Sequence, residues 1–423
     1  MRSSTRSCSA IIAAGLLANN VPAQAQAVQR GTGVADRSRP QYDPIGFDLG
    51  TFRVYPSIST EFDATDNYRA KDINRQGDAY AVVLPEVAFG SNWGRNHIGG
   101  RAYFNRSVHA NLPSEDASQY GLLVDGAFDA SHDTVLRADA SLIRAVESRS
   151  SLSSFRNSRE PVSYNTGHFA IGIAQQFMRL NLDGSVGFNK TSFHDVTGID
   201  GKPIDQSFRD VRTVSEALSA QYDVGGGIGL IVSGSASQRR YDFRPGSAGF
   251  DPLVNVNRDS SGFSLQGGLV LELSSLVFGT IQAGYIQQKY RDPRLKDFTG
   301  LSFSADVLWN VTSLTSLRFR ASRAVQDSSS TVVAGNTRSD FSVGVDHELF
   351  RYVILSGAAN YASFRPNGQG PGGREYGIQL GGRYLVDRHW SAALTAAYAR
   401  RSSVSTFLRY NAASGSLSIK YAF

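Results

Sequence analysis

From Phe47 onward, apolar and polar residues alternate with a period of two, the pattern of strands whose two faces meet different surroundings. Phe263, Leu265, Leu269, Leu271 and Leu273 share one face, and Ser264, Gln266 and Glu272 the other. The same phase sets Leu180, Leu182, Val186 and Phe188 against Asn181, Asp183, Ser185 and Asn189. It returns with Tyr376, Ile378, Leu380, Tyr384 and Val386 against Glu375, Gln379 and Arg383. No stretch carries a convincing helical period. The pattern predicts an all-β chain of about eighteen strands, from 47–63, 78–90 and 97–109 to 374–386, 389–399 and 412–423. Sixteen would remain if two weak segments were loops.

The connections alternate too. Long polar ones (64–77, 148–161, 191–208, 242–257, 364–373) take turns with very short ones (178–179, 223–226, 350–351, 387–388). That regularity predicts an up-and-down antiparallel meander with all long connections at one end. So many strands leave open edges unless the sheet closes on itself. An apolar outer face around a polar interior suits a bilayer, where closure satisfies every backbone group. The expectation is a transmembrane β-barrel with short periplasmic turns and long extracellular loops.

Composition agrees and fixes the compartment. Mean hydropathy is −0.24, and no apolar run approaches the roughly 20 residues of a spanning helix. Residues 1–27 read as a secretory signal: Arg2 and Arg6, the apolar Ile11–Ala18, then small residues for cleavage near Ala25 or Ala27. The only cysteine, Cys8, leaves with it, which excludes a disulfide framework and a Cys-ligated zinc site. The mature net charge is two below the full chain's +6. Residues 28–46 are polar and read as a flexible periplasmic lead-in, leaving 47–423 as the barrel. Trp93, Trp309 and Trp390, with Phe177, Tyr222, Phe350 and Tyr352, fall beside predicted short turns, where an interfacial aromatic girdle belongs.

Two stretches carry resemblances. The C-terminus places Leu417, Ile419, Tyr421 and the terminal Phe423 on one face, which resembles the signal read by the outer-membrane barrel assembly machinery. Residues 39–57 hold Arg39-Pro40, Tyr42-Asp43-Pro44-Ile45-Gly46, Gly50-Thr51-Phe52 and Tyr55-Pro56-Ser57. With Asp66-Asn67-Tyr68, Leu84-Pro85-Glu86 and Ser91-Asn92-Trp93, they resemble the putative beta-barrel porin type 2 family, in detail over roughly 39–130. That resemblance implies an outer-membrane barrel, admits a role in exopolysaccharide or capsule secretion, and brings no residue-level mechanism. Pro56 within a strand lacks a ladder donor and predicts a bulge there.

No catalytic, cofactor or metal constellation emerges. The seven His are dispersed without metal-ligand spacing, and a triad around His194-Asp195 has no distinctive serine. Gly225-Gly226-Gly227 reads as a turn rather than a phosphate loop. Arg239-Arg240 and Arg400-Arg401 read as solvated or lipopolysaccharide-facing charge, not a nucleic-acid site. The alternation turns Arg53, Arg101, Arg137, Arg318, Arg320 and Arg383 inward, with Asp125, Asp139, Glu272, Asp306, Asp346 and Glu375. Balanced signs give no strong selectivity from the wall. Because nearly all basic residues are Arg, whose forks grip carboxylates, anionic or saccharide solutes are expected. The expected function is a non-enzymatic, porin-like passage without cofactor. The alternatives are a polysaccharide secretion component and, less favoured, an outer-membrane enzyme. Expected partners are outer-membrane lipid, lipopolysaccharide, the assembly machinery and, for the second reading, polysaccharide.

Overall fold

The computed structural model describes residues 31–155, 157–273, 276–327, 335–368 and 370–423. The expected signal segment, 1–27, lies outside them. The strands are β1 (Phe47–Leu49), β2 (Phe52–Thr65), β3 (Asp78–Ser91), β4 (His97–His109), β5 (Ala117–Asp129), β6 (Thr134–Val146) and β7 (Ser163–Phe177). Then come β8 (Leu180–Phe193), β9 (Val196–Thr197), β10 (Pro203–Ile204), β11 (Val211–Gly225), β12 (Ile228–Tyr241), β13 (Ser260–Leu273) and β14 (Val277–Tyr290). The last are β15 (Phe298–Thr312), β16 (Thr315–Asp327), β17 (Gly335–Phe350), β18 (Val353–Pro366), β19 (Gly373–Leu385), β20 (Trp390–Ser403) and β21 (Tyr410–Ala422).

Eighteen of these form one closed antiparallel barrel. Each pairs with its sequence neighbours, and β2 pairs with β21 from Ser57 opposite Ala422 to Thr65 opposite Ser414, which closes the wall. β1 only extends the β2 edge, and β9 and β10 make a small hairpin inside one long connection. Barrel strands run 13 to 16 residues. At about 3.3 Å per residue and about 40° of tilt, they rise roughly 33–40 Å, more than the apolar band of about 25 Å. Eighteen strands about 4.8 Å apart at that tilt enclose a backbone cylinder roughly 35 Å across.

Every predicted strand is present, and the short connections are as tight as expected. Met178 turns with φ 40°, and Gly225, Gly226 and Gly227 turn with φ 99°, 66° and 78°, conformations that favour glycine. Trp93, Trp309 and Trp390 are exposed near the short-connection end, as a girdle requires.

Two expectations differ. Pro56 produces no bulge, since β2 runs in unbroken register with β3 through it. The Pro56 carbonyl accepts from the Phe423 N–H at 3.1 Å, so the absent donor faces β21 just beyond the first pair, Ser57–Ala422. The lead-in is also not free. Residues 31–46 pack against the barrel, with Val34 fully buried and a short 3-10 turn at Val34–Asp36. The surface that receives it mixes polar and apolar groups, with Ser316 and Asn310 beside Leu308 and Phe278.

Candidate functional site

The two faces of the wall separate by residue parity. Leu142, Leu218, Val232, Leu265, Ile378 and Leu394 are among the exposed apolar residues of one face. The sequence-nominated charges occupy the other parity on their strands. That second face is the inner one, because a loop reaches it from across the barrel. The Arg401 Nη2 of β20 donates to the carbonyl of Ser150, in the connection between β6 and β7.

On that face most nominated charges are paired. Arg318 grips Asp306 with two bonds of 2.7 Å, and Arg320 adds a third at 3.3 Å. Arg137 pairs with Asp183, and Arg101 lies 3.3 Å from Glu86. Asp139 meets His168 at 3.1 Å, and Asp125 meets His97 at 3.4 Å. Arg53 pairs with Asp48 of β1 at 2.8 Å. Glu375 lies between Arg338 and Arg401, each at 2.7 Å. Arg383 lies within electrostatic reach of Asp346, Asp36 and Arg39. Glu272 sits at the short-connection end of β13, opposite Phe278.

The wall is chemically lopsided. Apart from Glu272 on β13, the nominated charges lie on β2–β8 and β15–β20. Between Arg239 near its long-connection end and Glu272 near its short-connection end, the inner face of β11–β14 carries hydroxyls and amides, including Ser219, Gln221, Ser233, Gln266, Thr280 and Gln282. Gln266 bonds Ser302 and Ser304 across the sheet.

Both ends of the interior are furnished. At the short-connection end, residues 31–46 lie across the wall. The Val34 N–H donates to Ser316 Oγ at 2.9 Å, and Asn310 Nδ2 reaches the Thr32 carbonyl at 3.3 Å. Gly33 passes so near that a Cβ there would sit 3.2 Å from both Leu308 and Ser316. Arg39 holds Glu348 at 2.7 Å, Arg388 bonds the Pro40 carbonyl at 3.1 Å, and the Gly46 N–H donates to the Phe423 carbonyl at 3.0 Å. Asp36 joins the electrostatic surroundings of Arg318 and Arg383.

At the long-connection end, Glu115 is buried between two guanidinia. Arg149 donates twice at 2.9 Å and Arg69 once at 2.9 Å. Arg149 also bonds Ser158 Oγ at 2.8 Å, which closes the 147–162 connection on itself. Arg209 grips Glu147 and lies 3.9 Å over the Phe193 ring. Nearby His109 bonds Asp78 at 2.7 Å and stacks on Tyr80. Burial, reinforced by the Glu115 charge, pushes the Tyr68 phenol above its ordinary range, so it stays neutral beside that pair.

Arg401, expected to be solvated or lipopolysaccharide-facing, is instead buried against Glu375, and sequence reasoning missed Arg338, Glu115, Arg149 and the seat of Val34. Arg338 and Arg401 have inward parity and were readable in principle. The others depend on loop paths that no periodicity encodes. Leu417, Ile419, Tyr421 and Phe423 share the outer face of β21, and the Tyr421 ring lies 4.8 Å from Trp390 and 5.1 Å from Phe423.

Among solved structures, the siderophore receptor PirA of Acinetobacter baumannii is 8% identical, with 89% of this chain and 81% of that one covered and a TM-score of 0.49. OccK2 (OpdF) of Pseudomonas aeruginosa, solved with glucuronate, is 11% identical over 89% of this chain and 99% of that one, at a TM-score of 0.47. The outer membrane protein opdK of P. aeruginosa is 10% identical over 88% and 98%, at 0.42. No curated protein matches the sequence. The sequence model of the putative beta-barrel porin 2 family matches residues 39–423, far past the stretch where the motifs were legible. A single closed barrel with its apolar face outward, matched along its whole length, belongs to the putative beta-barrel porin 2 family, a porin-like fold of the outer membrane.

Proposed function

We propose that the protein is a non-enzymatic, cofactor-free passage for small polar solutes across the outer membrane. On this reading residues 1–27 are removed on export and the assembly machinery reads Leu417, Ile419, Tyr421 and Phe423. The observation that carries it is the divided inner wall, with paired charges on one side and hydroxyls and amides on the other. Paired charges leave little net field, so the reading favours solutes chosen by hydrogen bonding over strong ion selection. Arg53, Arg101, Arg137, Arg318, Arg320 and Arg383 then act with Asp139, Glu272, Asp306, Asp346 and Glu375 as lumen lining. Their guanidinium forks suit carboxylated or hydroxyl-rich solutes. Secretion of a surface polysaccharide would use the same hydroxyl and amide surface, on a longer substrate.

The test is single-channel recording of the purified protein in planar bilayers. Discrete steps, a reversal potential near zero or weakly anion-selective, and current reduction by neutral sugars are expected. Cation selectivity, or no steps even after residues 28–46 are removed, would overturn the passage. Long blockades by oligosaccharides with little effect from monosaccharides would favour the polysaccharide reading.

A further inference from the structure

The outer face of the barrel carries an arrangement of charge that the lumen does not explain. On three successive barrel strands, Lys190 of β8 lies directly opposite Arg212 of β11, and Arg212 directly opposite Arg240 of β12. All three are exposed and share the parity of Phe188, Val214, Leu218 and Val232, so they project from the outer wall near the long-connection end. Like charges directly opposite one another destabilise a sheet. On the inner face Asp125 also lies directly opposite Asp139, but each of these meets a histidine, His97 and His168. Arg401 points inward to Glu375, and its neighbour Arg400 faces Tyr376 and Asn411 across the sheet.

The cations are only partly neutralised. Arg212 reaches Asp242 at 3.1 Å, and Arg244 stands 4.0 Å from Asp259. The Arg240 guanidinium has no ion-pair partner among the described residues. Beside it lies an open groove of about 570 Å³, with Arg212, Arg240, Arg244 and Gln238 along one part and Phe188 and Val214 along another. Asp242 and Glu216 also line it. A smaller recess of about 300 Å³ adjoins, where Arg240 and Arg244 meet Arg291.

This is an amphiphile's outline. A phosphate monoester offers two oxygens to guanidinium forks, a charge-assisted geometry that Arg matches better than Lys. The apolar part of the groove continues into the lipid-facing wall, which gives an acyl chain a path that a free anion would not use. We propose that this groove binds a phosphorylated glycolipid of the outer leaflet, with Arg212, Arg240 and Arg244 on its phosphate and Phe188 and Val214 against its acyl chain. The inference rests on the outer-membrane placement and not on an open lumen.

The experiment uses the folded full chain in detergent micelles, titrated with diphosphoryl lipid A, its dephosphorylated form and inorganic phosphate, with bound lipid counted by native mass spectrometry. Lipid A is expected to remain bound, with at least tenfold weaker retention in the doubly substituted Arg240→Ala, Arg244→Ala variant. Glu216→Gln, which removes a carboxylate from the same groove, is expected to tighten binding. Equal retention by wild type and double variant overturns the site, as does equal retention of the dephosphorylated lipid. Inorganic phosphate competing at equal concentration would make it a free-anion site and overturn the lipid assignment. Heat-modifiable gel mobility verifies that each variant is folded. Conductance of the same samples, expected unchanged, separates failure of this inference from failure of the passage reading.

Discussion

Glu115 illustrates how the interior is held. Its carboxylate is almost wholly removed from solvent and accepts three bonds from Arg69 and Arg149. Taking one partner from such a group leaves a buried charge uncompensated, which costs about 3–5 kcal/mol. Glu115→Ala is therefore expected to release the 147–162 connection while the barrel persists. Hydrogen exchange checks this, through lost protection within 147–162 and unchanged protection in the strands. Equal protection of that connection in both proteins would refute the role given to Glu115. At this scale the sequence was legible where a residue lies on a strand. The parity that turned Arg318 and Asp306 inward follows from neighbours on their own strands. Their pairing requires the register between β15 and β16, which puts Asp306 opposite Arg320 and one diagonal step from Arg318. Glu115 and Arg149 lie 34 positions apart in two different loops, and no local pattern announces them.

Among elements, the strands were readable because each repeats one simple demand, apolar toward lipid and polar toward water. The N-terminal segment obeys neither demand and was read as free for that reason. It carries no apolar stripe of its own, and its seat combines a few specific bonds, notably Val34 to Ser316 and Arg39 to Glu348, with close approach to Leu308 and Phe278. Composition detects apolar docking; it is blind to this kind. A charge introduced at the fully buried Val34 would lose several kcal/mol of hydration, on the order of the penalty for any unpaired buried ion. Val34→Asp is expected to unseat the segment and raise unit conductance in planar bilayers. Joining Val34→Cys to Ser316→Cys by a disulfide should hold the lower wild-type conductance, restored to the unseated value on reduction only if the seat is lost. An unchanged current in Val34→Asp would show that the segment does not narrow the path.

For the whole molecule, closure concentrates responsibility at one seam. β21 must meet β2, and Phe423, just past β21, takes part. Phe423 donates to Pro56 and accepts from Gly46, and its ring rests on Tyr421. Deleting Phe423 therefore removes two backbone bonds at the seam together with the last residue of the proposed assembly signal. The expected result is a marked fall in heat-modifiable, membrane-inserted protein at unchanged synthesis. If inserted protein stays at the wild-type level, neither role belongs to Phe423. The family, the eighteen strands and the direction of their faces were all foreshadowed by alternation and turn length. What alternation could not foreshadow is what lies within the cylinder, since the interior loops answer to each other and not to the membrane.

The seam also sets a clock. Ser57 pairs with Ala422, so β2 must wait with one edge unpaired until every barrel strand between them has been made. An unpaired strand edge invites the wrong neighbour, and pairings this distant in sequence form slowly. Until β21 is in place the β2 edge therefore stands open to mispairing, which makes closure the step of folding most exposed to error.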